Sequence, residues 1–163
     1  MSIVEEIVAA NDTYAAGFTK GHLPMPPGRK FAVVACMDAR LDPARALGLE
    51  EGDAHVIRNA GGRAADAIRS LVISQRLLGT EEVIVVHHTD CGMLTFDNDT
   101  LYGICREQLG ADASDIDFLP FSDVEQSVRD DVELIRSSPL IPSDMPVTGF
   151  IYDVKDGTIN QVV

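Results

Sequence analysis

The sequence places three chemically active side chains at alternate positions just where an apolar stretch ends. Residues 33–40 are VVACMDAR, so a thiol, a carboxylate and a guanidinium occur at Cys36, Asp38 and Arg40. Further along, the stretch HTDC places an imidazole at His88 and a second thiol at Cys91. Two thiolates and one imidazole favour zinc, whereas magnesium and calcium prefer oxygen ligands.

Cys36, His88 and Cys91 are therefore the candidate zinc ligands. An alternative stays open, because free cysteines are often buried for packing alone and an isolated HxxC pair arises by chance. The polar neighbours of Cys36 favour the metal hypothesis, since closely spaced polar groups are costly to bury unless they are paired or used.

Asp38 decides whether such a site is open or closed. If its carboxylate joins the ligand shell, four protein ligands close the site, as in structural zinc sites. If Arg40 holds Asp38 as an ion pair, a position stays free for water, as in catalytic zinc sites. An ordinary surface ion pair is the alternative interpretation of Asp38 and Arg40.

Two apolar runs, Phe31–Ala35 and Val83–Val86, are typical of strands buried on both faces of a parallel sheet. Strands that alternate with helices predict an α/β fold with a mostly parallel central sheet and helices on both faces. Ligands in such folds bind beyond the carboxyl ends of the strands. Cys36 and His88 both fall there.

Capping and periodicity predict the helices. Ser2 and Glu5 form a capping box that opens an amphipathic helix over residues 3–16. The other predicted elements are a helix over 64–78, a helix ending at Gly110 with Cys105 on its buried face, a helix opened by a second capping box at Ser122 and Glu125, and a terminal hairpin over 149–163.

Length and charge bound the function. A chain of 163 residues predicts one domain, 1–163, and a net charge of −13 disfavours nucleic acid and anionic membranes as partners. The sequence shows no secretory signal and no apolar run of about 18 residues, so we expect a cytoplasmic protein with reduced thiols.

Three motifs in order, CMDAR at 36–40, RNA at 58–60 and HxxC at 88–91, resemble the signature of the β-class carbonic anhydrases. The similarity extends from the first helix to the predicted strand at 150–153. It is greatest to the short bacterial and archaeal branch, which also includes carbonyl sulfide and carbon disulfide hydrolases.

This resemblance implies zinc on Cys36, His88 and Cys91, with hydration of CO2 to bicarbonate by a zinc-bound hydroxide. Asp38 would accept a hydrogen bond from that hydroxide, and Arg40 would orient Asp38. The implied sheet is mostly parallel with an antiparallel edge strand. The implied assembly is a homodimer or a multiple of dimers, in which the helix over 3–16 embraces the partner.

Two departures from the plant-like branch of the family concern substrate and proton transfer. Its substrate-binding glutamine is absent from residues 26–30, which are PPGRK. His87 stands where a glycine is usual, either as a proton shuttle or as a hydrogen-bonded structural residue. The backbone amides of Ala60, Gly61 and Gly62 are candidates for receiving the substrate oxygen, although these glycines also suit a tight turn.

Three alternatives to a carbonic anhydrase stay open. A carbonyl sulfide hydrolase would use the same zinc site to give H2S and CO2. A non-catalytic zinc domain would have its fourth ligand position closed by Asp38. An anion-binding regulatory module would use the loop at 58–62 without zinc.

Overall fold

The valine-rich runs of the sequence form the centre of a five-stranded sheet. In the computed structural model, which describes residues 2–163, the strands are β1 (Phe31–Cys36), β2 (Ala54–Asn59), β3 (Glu82–His88), β4 (Val147–Tyr152) and β5 (Ile159–Gln161). Their order is β2-β1-β3-β4-β5. The first four are parallel, and β5 pairs antiparallel with β4 at the edge, as predicted.

Helix α1 (Ile3–Ala16) precedes β1, and four further α-helices connect the strands: α2 (Pro43–Leu47), α3 (Ile68–Arg76), α4 (Asn98–Leu109) and α5 (Val124–Ser137). One face of the sheet packs against α3 and α5, in a core that includes Leu71 and Val128. The other face forms a second core with Leu41, the α2 region and Met93. The predicted α/β class with helices on both faces is confirmed.

Of the two predicted capping boxes, the structure shows the first and not the second. Ser2 and Glu5 form the predicted capping box at the start of α1, with both reciprocal hydrogen bonds present. The prediction of a second box at Ser122 and Glu125 is wrong. Asp123 is the N-cap of α5, because its carboxylate accepts a 2.8 Å hydrogen bond from the Gln126 backbone N–H.

Other boundaries also shift. The helix predicted over 64–78 is shorter, because residues 64–67 form a turn in which Ala67 N donates to Ala64 O, and α3 begins only at Ile68. The prediction that Cys105 is buried is wrong. Helix α4 lies at the surface, where Cys105 is half-buried and Leu109 is exposed.

Helix α1 exposes its apolar stripe. Every residue of α1 is exposed, including Ile3, Ile7 and Tyr14. The stripe has the predicted helical spacing but lies outside both cores. Within residues 2–163, no helix is long and apolar enough to cross a lipid bilayer.

Candidate metal centre

The three candidate ligands converge at the carboxyl ends of the two central strands. Cys36 is the last residue of β1, and His88 is the last residue of β3. Cys91 follows at the N-cap of a short 3-10 helix, Gly92–Leu94. The two sulfur atoms and a ring nitrogen of His88 lie within 4.8 Å of one another, and all three residues are buried.

The imidazole of His88 is oriented by its own backbone neighbourhood. His88 Nδ1 lies 2.8 Å from the carbonyl oxygen of Thr89 and must donate the hydrogen bond, since a carbonyl only accepts. Nε2 then carries the free lone pair. It is buried and has no hydrogen-bond partner among residues 2–163. Metal-bound histidines have this arrangement, in which one ring nitrogen is fixed by a hydrogen bond and the other is left for the ion.

The contact between the two thiols shifts their pKa values in opposite directions. A hydrogen bond from Cys91 lowers the pKa of Cys36 to about 4, although burial opposes this shift. The same contact raises the pKa of Cys91 well above its usual value. Cys36 is thus the thiolate of the pair, and its charge is also stabilised by the backbone amides of Asp38 and Gly61. Such a buried, electron-rich pair suits a soft divalent cation.

Asp38 and Arg40 form a two-point ion pair beside the cluster. Arg40 Nε lies 3.0 Å from Asp38 Oδ1, and Nη2 lies 2.8 Å from Oδ2. The Arg40 backbone N–H adds a third bond to Oδ1 at 2.8 Å. The bonds from Arg40 hold the pKa of Asp38 well below its ordinary range. This is the ion pair that the open arrangement requires, and Asp38 Oδ2 lies 3.7 Å from His88 Nε2.

Asp90 is a second partner of Arg40 that the sequence analysis missed. Its Oδ2 accepts a 2.7 Å hydrogen bond from Arg40 Nη1, and its carbonyl accepts one at 2.9 Å from Nη2. Asp90 has a positive φ of 54°, which turns the loop between His88 and Cys91 towards Arg40. Its position between the two ligands was the only available signal.

The Ala60–Gly62 turn lies against the end of β1. Both glycines have positive φ, 79° for Gly61 and 70° for Gly62. A Cβ on Gly62 would lie 2.8 Å from the backbone nitrogen of Cys36, so only glycine permits this approach. A cavity of about 160 Å³ lies over the cluster, and the turn contributes Ala60 and Gly61 to its lining, but not Gly62.

The comparisons with known proteins agree with this geometry. A family model described as carbonic anhydrase matches residues 31–107. Beta-carbonic anhydrase 1 of Mycobacterium tuberculosis is 47% identical over 165 residues, which cover 99% of each chain. The chain belongs to the β-carbonic anhydrase family.

Members of the family with different named activities resemble this chain. The crystal structure of a carbonic anhydrase from Streptococcus mutans has a TM-score of 0.95 and 50% identity, and the match covers 100% of this chain and 99% of that one. A carbon disulfide hydrolase of Acidithiobacillus thiooxidans is 32% identical over 178 residues, with 96% of this chain and 89% of the relative covered. The resemblance drawn from the three motifs is confirmed.

His87 does not join the metal centre. Adjacent residues of a strand point to opposite faces, so His87 lies across the sheet from His88. It is fully buried, with Nδ1 2.7 Å from Ser127 Oγ and Nε2 3.1 Å from Asp131 Oδ2. This position does not fit a shuttle that must exchange protons with solvent, and it corresponds to the alternative of a hydrogen-bonded structural residue.

Proposed function

We propose that this protein catalyses the reversible hydration of CO2 to bicarbonate at a zinc ion held by Cys36, His88 and Cys91. The observation that carries the proposal is the buried, unpartnered Nε2 of His88 facing two buried sulfur atoms. An orphaned lone pair of this kind costs stability unless a ligand satisfies it. Full-length similarity to a named β-carbonic anhydrase supports the choice of reaction.

The donor set fits zinc. When bound, zinc supplies Lewis-acid chemistry, because it lowers the pKa of a coordinating water to near neutrality. The chain itself contributes a rigid, buried set of two sulfurs and one nitrogen, with Thr89 fixing the tautomer of His88. The anion-binding module without metal leaves this cluster unexplained.

Asp38 orients the attacking water in this proposal. Because Arg40 keeps its pKa low, Asp38 stays ionised throughout the working pH range and can only accept hydrogen bonds. Its Oδ2 lies beside the ligand cluster, where it can fix one hydrogen of a water molecule and leave the oxygen lone pair free to attack carbon. Arg40 holds the carboxylate away from the ligand shell through its two-point contact.

The lining of the cavity favours a small neutral substrate. Met37, Ala60 and Met93 contribute apolar surface, and among the described residues 2–163 Asp38 is the only ionisable side chain in the lining besides the two thiols. A linear apolar gas can enter without losing strong hydration. Of the three predicted substrate-binding residues, Ala60 and Gly61 line this cavity and remain candidates through their amides, whereas Gly62 does not line it.

A second candidate is hydrolysis of carbonyl sulfide or carbon disulfide. It is favoured by the 32% identity to a named carbon disulfide hydrolase over nearly the whole chain. These molecules are also linear, neutral and electrophilic at carbon, so the same site can attack them. Carbonyl sulfide would give H2S and CO2.

Parallel assays on one preparation test the proposal. Zinc content is measured first, and stopped-flow CO2 hydration is then compared with H2S release from carbonyl sulfide and from carbon disulfide. We expect fast CO2 hydration that rises between about pH 6.5 and 9, the range in which zinc-bound water ionises. H2S release without CO2 hydration would favour the second candidate. Full zinc with neither activity would indicate a non-catalytic zinc domain.

We also propose that the protein is a cytoplasmic homodimer. The α1 stripe exposes 67% of Ile3 and 60% of Ile7, although such residues are normally buried. In a dimer, the α1 stripe of one protomer would pack against the surface of its partner and be covered there. A reducing cytoplasm would keep Cys36 and Cys91 available as ligands.

A further inference from the structure

A buried ion-pair network lies across the sheet from the metal centre. Asp131, in the middle of α5, is fully buried, and its carboxylate accepts hydrogen bonds from Arg63 Nε at 2.9 Å and Nη2 at 3.1 Å. His87 Nε2 lies 3.1 Å from the same carboxylate, and His87 Nδ1 lies 2.7 Å from Ser127 Oγ. We call Arg63, His87, Ser127 and Asp131 the α5 network.

Stability alone explains this network poorly. Burying charges costs solvation energy, and replacing a buried ion pair with apolar residues of similar size is often neutral or stabilising. Val128 and Val132, on either side of Asp131 along α5, belong to the apolar core, whereas Arg63 and Ser127 also line a cavity with Asp123, Gln126 and Asp130. Charge-assisted hydrogen bonds fix the relative orientation of the groups that they join, and apolar packing does not.

The α5 network is continuous with the turn that lies against β1. Arg63 directly follows Gly62. Its backbone N–H donates a 2.7 Å hydrogen bond to Asn59 Oδ1, and its carbonyl oxygen accepts a 2.9 Å bond from Asn59 Nδ2. His87 Nε2 also lies 3.2 Å from the Gly62 carbonyl oxygen. Both partners of Nε2 are acceptors, so Nε2 carries the hydrogen. Asp131 therefore restrains the turn through Arg63 and through His87.

The Ala60–Gly62 turn also contacts the candidate ligand Cys36. Gly62 packs directly on the Cys36 backbone nitrogen, and Gly61 lines the same cavity as Cys36 and Cys91. We propose that Arg63 and Asp131 are positioning residues, which hold the Ala60–Gly62 turn against Cys36 and so set the geometry and affinity of the metal centre. This inference rests on the proposed metal binding by Cys36, His88 and Cys91.

Two single variants test the inference with readouts other than activity. Asp131→Asn replaces an acceptor oxygen with an amide, and Arg63→Lys keeps the charge but loses the two-point fork. We expect zinc affinity, measured by chelator competition, to fall roughly tenfold, as is typical for outer-shell partners. We also expect the visible absorption bands of the Co²⁺-substituted protein to shift, because they report ligand geometry.

Val132→Ala is the matched control. It removes buried methyl groups from the same helix, where the side chain faces Gly149 rather than the network. We expect its zinc affinity to stay within about twofold of the parent protein and its Co²⁺ bands to be unchanged. Equal effects of Val132→Ala and Arg63→Lys would overturn the positioning role, since general loosening of α5 would then suffice. If Asp131→Asn does not fold, Arg63→Lys decides.

The double variant Arg63→Met with Asp131→Leu separates positioning from stability. It removes both buried charges together, so we expect it to fold while zinc affinity stays reduced. Parental affinity and parental Co²⁺ bands in this variant would contradict the proposal. If the proposed metal binding by Cys36, His88 and Cys91 is wrong, the parent protein itself will bind neither Zn²⁺ nor Co²⁺ stoichiometrically. That result differs from a loss of affinity seen only in the variants.

Discussion

Arg40 Nη1 lies 2.7 Å from Asp90 Oδ2, while the rest of the same guanidinium holds both carboxylate oxygens of Asp38. Asp90 belongs to the loop after β3, between His88 and Cys91, and Asp38 belongs to the loop after β1. The arginine therefore joins the two loops that carry the metal centre. Because the guanidinium bonds Asp38 on one side and Asp90 on the other, the Arg40 side chain has few available conformations. Its Nε and Nη2 atoms therefore stay directed at Asp38.

We expect Asp90→Asn to lower kcat/KM for CO2 hydration by roughly two- to fivefold, because exposed ion pairs are weak but this one anchors Arg40. Zinc content should not change. Stopped-flow assays of zinc-matched protein measure the effect, and Asp115→Asn, an exposed acid after α4, is the control. An Asp90→Asn rate equal to that of the control would remove Asp90 from the positioning of Arg40.

Asp38→Asn should retain zinc and lose about a hundredfold in kcat, since the amide cannot supply the same acceptor to the attacking water. The amide would also lose the charged pairing with Arg40. Metal analysis and stopped-flow kinetics on the same sample separate the two effects. An unchanged kcat with full zinc would exclude Asp38 from the mechanism.

Much of the fold and the ligand cluster follow from sequence patterns. Buried apolar runs identify β1 and β3, and the strand-end rule brings Cys36 and His88 together. The side of His87 was also predictable, because neighbouring strand residues cannot both face one site. Asp131 left a comparable signal, as an acid on the apolar helical stripe of Val128 and Val132.

Other features depend on tertiary contacts. Ser122 and Asp123 are both good helix caps, and local sequence does not decide between them. The pairing of Arg40 with Asp90 needs the positive φ of Asp90 and the separation of the two loops. Residues 50 positions apart give no local pattern from which such a distance could be inferred.

Cys36→Ala should lose most of its zinc, because His88 and Cys91 alone are too few ligands to hold the ion tightly. Cys105→Ser is the matched control, since Cys105 is a half-buried thiol on α4 outside the cluster. It should keep full zinc and full activity. Elemental analysis of protein purified without added zinc measures both. Full zinc in Cys36→Ala, or its loss in Cys105→Ser, would show that the assigned ligands are wrong.

Asp131 predicts a specific dependence of stability on pH. Burial raises its pKa, but the hydrogen bonds from His87 and Arg63 outweigh burial and leave the pKa lowered. A carboxylate with a lowered folded pKa stabilises the fold above its unfolded value of about 3.9, and this contribution is lost as the pH falls through the folded value.

Asp131→Asn should therefore lower the free energy of unfolding by about 3 kcal/mol at pH 7, as expected for breaking a buried ion pair, and by less near pH 3. Urea unfolding at both pH values measures the difference. Asp130→Asn, its exposed neighbour on α5, should have little effect at either pH. An equal loss at pH 7 and pH 3 would contradict the role of the ionised carboxylate.

Helix α1 provides the test of assembly. Ile3, Ile7 and Tyr14 lie on one side of the helix and are more than half exposed, which is costly for a surface in water. We expect Ile7→Asp to convert the dimer to a monomer, because a carboxylate buried in the interface would lack a partner. Ala9→Asp places the same charge about half a turn away and should leave the dimer intact. Sedimentation equilibrium measures the mass of each variant, and circular dichroism checks its folding. A parent protein that sediments as a monomer, or a folded Ile7→Asp variant that stays dimeric, would show that α1 is not the dimer contact.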